Sequence, residues 1–154
     1  MYDGLFYKPQ TTLQGIVEKH TGSGDFDAPQ KQLDAIKTLR AGRTTVFADK
    51  GVNDVPVNFL STVDTTGGNS GSPTLNAKGE LVGLLFDGTY ESVSSDYLFD
   101  SVKTRSIHVD SRYMLWNMAE VDGARRLLDE MSVSLAPPVP AAKPVPVKAP
   151  AAVK

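Results

Sequence analysis

The sequence of 154 residues contains no cysteine and only two histidines, His20 and His108. The missing cysteines exclude disulfides, thiolate chemistry and cysteine-based zinc sites. Two histidines are too few for a histidine-rich metal centre, so neither a metal nor a cofactor is expected. Positive charge is not in excess either, because 16 Lys and Arg oppose 18 Asp and Glu. A nucleic-acid-binding protein needs a basic face, so we expect no nucleic-acid partner.

Long apolar runs are also absent. No stretch approaches the roughly 18 residues that a membrane helix needs, so we expect no membrane span. The first ten residues, MYDGLFYKPQ, have neither the charged start nor the apolar centre of a signal peptide. From residue 133 the sequence reads VSLAPPVPAAKPVPVKAPAAVK, which holds six of the ten prolines. Because proline fixes φ and removes a donor, this composition predicts a disordered tail or linker over 133–154 and a folded part over 1–132.

Apolar spacing predicts helices at both ends of the folded part and strands between them. Helical periodicity covers about 11–20, 29–41 and 113–131. DVPVNFLSTV alternates apolar and polar residues and predicts a strand, and SPTLNAKGELVGLLF predicts a hairpin. RSIHVD alternates in the same way. The predicted fold class is therefore mainly β with flanking helices.

The segment Thr66–Pro73, TGGNSGSP, is the most informative part of the sequence. A phosphate-binding loop needs a lysine directly after its last glycine, but Ser72 follows Gly71 and the next lysine is Lys78. A tight turn between strands is a second interpretation, since most glycine–serine stretches form turns. The third is a nucleophilic serine, Ser70, which glycines on both sides would leave exposed. Backbone N–H groups that converge beside such a serine stabilise the oxyanion of an acyl-transfer intermediate.

GNSGSP resembles the nucleophile loop of chymotrypsin-like serine peptidases. The longer string from Val55 to Met131, which includes VPVNFLSTVDTTGGNSGSPTLNAKGELVGLLFDGTYE, RSIHVDSRYMLW and LLDEM, is similar to the C-terminal part of bacterial dipeptidyl-peptidases of the 7 and 11 type. TTLQGIVEKHTG matches more weakly, and the Pro-rich tail does not match. The resemblance implies an incomplete chymotrypsin-like double β-barrel, of which residues 1–132 form the C-terminal part.

The resemblance also implies roles for individual residues. Ser70 would be the nucleophile, and the N–H groups of Gly68 and Ser70 would form the oxyanion hole. Phe86, Asp87 and Gly88, the FDG segment, would bind substrate, with Asp87 holding the free α-ammonium group of the peptide. Gly88 stands where the acidic-preferring branch of the family carries arginine. It therefore implies a preference for an apolar second residue.

Two departures from serine-peptidase patterns stand out. Asn69 precedes the nucleophile where trypsin-like enzymes have aspartate, which argues against their activation route. The family that the sequence resembles also carries asparagine there, so catalysis is not put in doubt. The catalytic histidine and aspartate of the family lie far upstream of the serine, in a region that this sequence does not contain. His20 and His108 are predicted to be ordinary helix and strand residues. The carboxylates Asp64, Asp96 and Asp110 are predicted to be turn or surface groups.

Three hypotheses follow. The leading one is a serine dipeptidyl-peptidase that releases N-terminal dipeptides, present here as an incomplete catalytic domain that lacks its N-terminal half and is inactive alone. The second is a short derivative that has lost catalysis and keeps a peptide-binding or structural role, which the unusual tail favours. The third is a small hydrolase that uses His20 or His108 as its base. The resemblance further implies peptide substrates with a free N-terminus, a homodimer, and a periplasmic or secreted full-length protein.

Overall fold

The computed structural model describes residues 8–40 and 45–135, and within them a five-stranded antiparallel sheet is flanked by helices. This confirms the predicted fold class of β structure with flanking helices. The predicted tail beyond residue 135 and the end of the predicted second helix lie outside the described residues.

The strands are β1 Gln10–Thr12, β2 Pro56–Ser61, β3 Pro73–Leu75, β4 Leu81–Gly88 and β5 Ser106–Asp110. The α-helices are α1 Leu13–Lys19, α2 Gln30–Arg40, α3 Ser111–Trp116 and α4 Arg125–Glu130, with a π-helical turn at Asn117–Val121 and 3₁₀ turns at Gly24–Phe26 and Tyr90–Ser92.

The sheet brings distant parts of the chain together in the order β1-β2-β5-β4-β3. Strand β5, from the end of the fold, lies in the centre and pairs antiparallel with both β2 and β4. The predicted hairpin is present as β3 and β4. Because β4 lies between β5 and β3, it pairs on both sides at Gly83 and Leu84, whereas its second half pairs with β5 and has an irregularity at Phe86.

Two predicted helices differ from the structure. The first begins at Leu13, because residues 10–12 pair with β2 as a strand and the Thr11 N–H donates to Asn58 Oδ1 at 2.6 Å. The last is not continuous over 113–131. It begins at Ser111, widens into the π-helical turn, and restarts at Arg125 after Gly123, whose φ of +66° interrupts the helix.

The apolar core lies between the helices and the β1–β2 side of the sheet. Its largest buried side chain, Trp116, is 1% exposed. The buried cluster comprises Leu13, Ile36, Phe47, Val55, Trp116, Ala119, Val121 and Leu128. Val133 and Leu135 pack against this cluster, so packed residues continue past position 132, where the sequence placed the end of the folded part. No helix within residues 8–40 and 45–135 is long and apolar enough to cross a membrane.

Strand β5 is unusual because its buried positions are polar. Ser106, His108 and Asp110 are at most 3% exposed, whereas Ile107 and Val109 are only partly buried. Asp110 is therefore not the turn or surface carboxylate that the sequence predicted. Its carboxylate caps α3 by accepting the Arg112 N–H at 2.9 Å, and it also accepts from the Arg112 guanidinium. Charge-assisted bonds of this kind allow a carboxylate to be buried.

Candidate active site

The glycine-rich segment forms the connection between β2 and β3 and carries Ser70 at the surface. The loop is closed by its own polar groups. The Thr66 N–H donates to Asn69 Oδ1 at 3.0 Å, and the Asn69 N–H donates back to Thr66 O at 3.2 Å. The Ser72 N–H donates to Asn69 O at 3.0 Å. Asn69 thus organises the turn from which the neighbouring serine projects.

Two backbone hydrogen bonds fix this loop to β4. The Gly71 N–H donates to Leu85 O at 2.7 Å, and the Leu85 N–H donates to Ser72 O at 2.9 Å. The Ser70 hydroxyl lies 3.5 Å from Phe86 O, at the outer limit of a hydrogen bond. The serine therefore lies directly beside the FDG segment.

The N–H groups of the loop fall into two sets. Those of Thr66, Asn69, Gly71 and Ser72 have acceptors within the protein. Those of Gly67, Gly68 and Ser70 have none among the described residues. Gly68 has φ of +93° and Gly71 has φ of +86°, a region that side chains rarely adopt. Both glycines are thus needed for the path of the backbone. This path leaves the N–H groups of Gly67, Gly68 and Ser70 free to bind an external acceptor.

A cavity of about 270 Å³ opens beside Ser70. The serine loop forms one wall, the end of β4 forms the second, and the segment after β4 forms the third. Its lining residues are Thr65, Thr66, Gly67, Ser70, Leu85, Phe86, Asp87, Gly88, Thr89, Ser92, Val93, Ser95 and Asp96. The cavity therefore joins the nucleophile candidate to all three residues of the FDG segment.

The charges around this cavity are of one sign. Asp87 and Asp96 are carboxylates, and no lysine, arginine or histidine is among the lining residues. The Gly88 N–H donates to Asp87 Oδ1 at 2.8 Å, while Asp87 Oδ2 has no partner within the described part of the chain. Asp87 is exposed, so its carboxylate is accessible to a cation from outside.

The two histidines do not serve Ser70 in this structure. His108 is 1% exposed and stacks on Phe59, with ring centroids 4.9 Å apart. Its Nε2 lies 2.7 Å from Ser61 Oγ and its Nδ1 lies 2.7 Å from Thr74 Oγ1. Burial lowers the pKa of His108 below the usual value of 6.5, because the charged ring loses its water.

His20 lies at the end of α1, where its Nδ1 accepts the Ala28 N–H at 3.1 Å. Both histidines are thus held by groups other than Ser70, in agreement with their predicted roles as ordinary residues. Asp64 and Asp96 are exposed, as predicted. Both line a second cavity of about 380 Å³, which shares Thr65, Thr66, Ser95 and Asp96 with the first.

Sequence reasoning missed the segment after β4. Thr89, Ser92 and Ser95 line the cavity, yet a serine or threonine in a turn carries no signal of its own in one sequence. A partial clue was present in the high content of small polar residues between Thr89 and Asp96, which is typical of a loop. The loop connects β4 to β5, and its position beside the cavity becomes clear only from the antiparallel pairing of these two strands.

Comparison with known proteins places the chain among the peptidases. The sequence pattern of the family described as Peptidase S46 matches residues 1–133. The chain belongs to this family.

Three similar proteins illustrate the relationship. The Asp/Glu-specific dipeptidyl-peptidase of Shewanella putrefaciens is 49% identical over a match that covers 85% of this chain and 20% of that protein. Dipeptidyl-peptidase 7 of Phocaeicola vulgatus is 42% identical, with 85% and 18% covered. The crystal structure of Porphyromonas endodontalis DPP11 in complex with the dipeptide Arg-Asp has a TM-score of 0.77 at 36% identity, covering 87% of this chain and 19% of that one. The chain thus spans about a fifth of the length of these relatives.

Proposed function

We propose that the chain contributes the nucleophile and part of the substrate site of a serine-type dipeptidyl-peptidase, which releases N-terminal dipeptides through an acyl-enzyme on Ser70. The observation that carries this proposal is the position of Ser70 at the edge of the cavity, beside free N–H groups and next to Asp87. In this mechanism the serine oxygen attacks the scissile carbonyl carbon. The free N–H groups of Gly68 and Ser70 then stabilise the oxyanion that forms, and losing one such donor typically costs about 2.7–4 kcal/mol.

The proton of Ser70 needs an acceptor. A serine hydroxyl is a weak nucleophile until a base removes its proton, and the base needs an orienting acid. His20 and His108 are both bound to other groups. We therefore propose that the base is supplied by an N-terminal part of a larger peptidase, which completes a chymotrypsin-like double barrel with residues 8–135. The same proposal includes a homodimer and a periplasmic or secreted location, as in the resemblance from the sequence.

Asp87 is proposed to bind the α-ammonium group of the peptide. An enzyme that removes dipeptides must measure two residues from the N-terminus, and a fixed carboxylate does this by binding the terminal charge. Asp87 Oδ1 is oriented by the Gly88 N–H, which leaves Oδ2 for the ligand. A hydrogen bond to a charged group contributes about 1.5–3 kcal/mol, which is enough to set this register.

The cavity is proposed to take an apolar second residue. Gly88 adds no charge, and the other lining residues supply two carboxylates and no cation. An acidic side chain would therefore meet repulsion without a partner, although several relatives, among them the one that is 49% identical, are named Asp/Glu-specific. Leu85, Phe86 and Val93 offer apolar surface in the same cavity.

Labelling with a fluorophosphonate probe tests the proposal, because the probe reacts only with an activated serine. We expect the folded 154-residue chain to remain unlabelled alone and to become labelled when it is mixed with the N-terminal four-fifths of the Shewanella putrefaciens relative. Ser70→Ala is expected to abolish labelling. Ser72→Ala is the matched control, since this serine is exposed in the same loop, and it should leave labelling intact.

Two outcomes would contradict the proposal. Labelling of the isolated chain that Ser70→Ala removes would show that the chain contains its own base, and His20→Ala and His108→Ala would then identify it. Labelling that survives Ser70→Ala would show that another serine is the nucleophile.

A further inference from the structure

Gly88 and Ser92 face each other across a very small space in the wall of the cavity. A Cβ atom built on Gly88 would lie 3.2 Å from Ser92 Cβ, 3.5 Å from Ser92 Oγ and 3.8 Å from Arg105 O. The first of these distances is shorter than an ordinary van der Waals contact between carbon atoms. Side chains at position 88, at the end of β4, and at position 92, in the 3₁₀ turn after it, would therefore occupy the same volume.

Ser92 is held firmly where it is. Its hydroxyl donates to Arg105 O at 2.8 Å and accepts the Arg105 N–H at 3.1 Å. The Thr89 hydroxyl lies 3.1 Å from the same oxygen, and since Ser92 gives its only proton to Arg105 O, Thr89 is the donor there. The Ser92 N–H also donates to Thr89 O at 2.8 Å. Every hydrogen-bonding capacity of this hydroxyl is used, so the side chain cannot move aside without losing three bonds.

The contacts of Ser92 tie the cavity wall to the central strand. Arg105 directly precedes β5, and Gly88 pairs with Ser106 at the first position of that strand. Ser92 thus fixes the distance between the loop wall and the end of β4. Both residues line the cavity that also contains Ser70.

We propose that Ser92 is a specificity-determining residue, which sets the size limit of the pocket for the second residue of the substrate. With serine at position 92 and glycine at 88, the cavity remains open to leucine- and phenylalanine-sized side chains. A larger residue at position 92 fills it from the loop side, and a side chain at position 88 fills it from the strand side. This inference rests on the proposed function, because it assigns the cavity to the second residue of the peptide.

The test is a titration of the ¹⁵N-labelled 154-residue chain with the dipeptides Ala-Ala, Ala-Leu and Ala-Phe, followed through the amide shifts of Gly68, Ser70 and Gly88. We expect Ala-Leu and Ala-Phe to bind more tightly than Ala-Ala. In Ser92→Leu the affinity for the two larger dipeptides should fall by at least about ten-fold, while Ala-Ala changes by less than about two-fold. One methylene in an apolar pocket typically accounts for about 10–200-fold, which covers this range.

Ser94→Leu is the matched control. Ser94 lies two residues further along the same segment, is exposed, and does not line the cavity. The substitution introduces a leucine side chain into the same loop but outside the cavity. The order of the affinities for Ala-Ala, Ala-Leu and Ala-Phe should therefore stay as in the native chain. Gly88→Ala approaches the same volume from the other side, and it should reproduce the selective loss if Ser92→Leu fails to fold.

The outcomes separate this inference from the proposed function. If no dipeptide shifts these amides, either in the isolated chain or in its mixture with the N-terminal four-fifths of the Shewanella putrefaciens relative, the cavity is not the substrate pocket. The inference then fails together with the assignment of the cavity, whereas fluorophosphonate labelling judges the role of Ser70 separately. If the dipeptides bind and Ser92→Leu and Gly88→Ala weaken all three equally, or weaken none, Ser92 has only a structural role. In that case the inference is overturned and the assignment of the cavity stands.

Discussion

The two sides of the molecule are stabilised in different ways. On the helical side, the buried side chains are apolar apart from Gln32, and Leu13, Ile36, Trp116 and Leu128 are at most 1% exposed. On the strand side, β5 buries polar residues, and His108 is the largest of them. Close packing of apolar side chains stabilises the helical side, and satisfied hydrogen bonds between buried polar groups stabilise the strand side.

The candidate site lies on the hydrogen-bonded side, next to β4, and this location has a physical reason. A serine loop that must present free N–H groups cannot be buried in an apolar core, since unpaired backbone groups are costly there. It can be supported by a strand that pairs with its own neighbour, as β4 does with β5. The bond from the Gly71 N–H to Leu85 O and the bond from the Leu85 N–H to Ser72 O provide this support. The comparison therefore predicts that apolar truncations affect global stability, whereas changes near β4 and β5 affect the region that carries the site.

The largest effect is expected for Trp116→Ala. Trp116 is 1% exposed and stacks on Tyr113 with centroids 6.2 Å apart. Removing the indole leaves a large cavity, which typically costs about 3–5 kcal/mol. Urea unfolding followed by circular dichroism measures the change. Leu127→Ala is the control, because Leu127 is 51% exposed and should change the free energy of unfolding by less than about 0.5 kcal/mol. Equal losses in the two variants would contradict the assignment of the core.

The next effect tests the strand side through close packing. A Cβ atom on Gly83 would lie 2.5 Å from Val109 O and 2.8 Å from Phe59 Cε1. Gly83→Ala must push β4 away from β5 or displace Phe59 from its stack on His108, and overpacking of this kind typically costs about 1–3 kcal/mol. Thermal unfolding gives the measurement. Gly67→Ala has open space around its Cβ and should change the melting temperature little. Equal melting temperatures for Gly83→Ala and Gly67→Ala would show that β4 and β5 can move apart at little cost in stability.

Much of this fold could be predicted because its signals are local. Alternation in β2 and β5 and the turn before β4 mark the strands directly. The interruption of the last helix is harder to predict, because the π-helical turn depends on how Ala119 and Val121 fit the core. The burial of His108 and Asp110 contradicts any ranking by hydrophobicity. For His108 the burial depends on Ser61 in β2 and Thr74 in β3, which only the folded chain brings together, whereas the partner of Asp110 is Arg112, two residues further along the chain.

The candidate site divides in the same way. Ser70, Gly68 and Asp87 lie in recognisable motifs, and the structure places them beside one cavity or in its loop. Ser92 could not be predicted, because its importance comes from a 3.2 Å approach to a glycine that has no side chain. A contact with an absent atom leaves no pattern in a single sequence.

A smaller effect is expected where the helical side uses a polar contact. The Gln32 amide donates to the Tyr113 hydroxyl at 2.5 Å and lies 3.3 Å from Asn117 Oδ1. Tyr113→Phe removes the first bond and leaves the second, so the loss should be about 0.5–1.5 kcal/mol. Urea unfolding again gives the value. A loss as large as that of Trp116→Ala would mean that this side, too, depends on its hydrogen bonds, and the contrast between the two regions would disappear.

At neutral pH the smallest expected effect is the titration of His108. Burial lowers the pKa of His108 below the value of 6.5 that it has in the unfolded chain. Below that pH the unfolded chain binds more protons than the folded chain, so stability decreases as the pH falls through 6.5 towards the folded pKa. Above that pH the ring is neutral in both states and the effect vanishes. Urea unfolding at a series of pH values from 8 to 5 measures this slope.

The control for this slope is the removal of the imidazole itself. His108→Gln should flatten it, and it should also lower stability at pH 8, since an amide cannot reproduce both the stack on Phe59 and the two bonds to Ser61 and Thr74. A slope that survives His108→Gln would mean that other groups titrate between the strands. The buried polar network would then not depend on a neutral imidazole, which is the feature that most separates this side from the helical core.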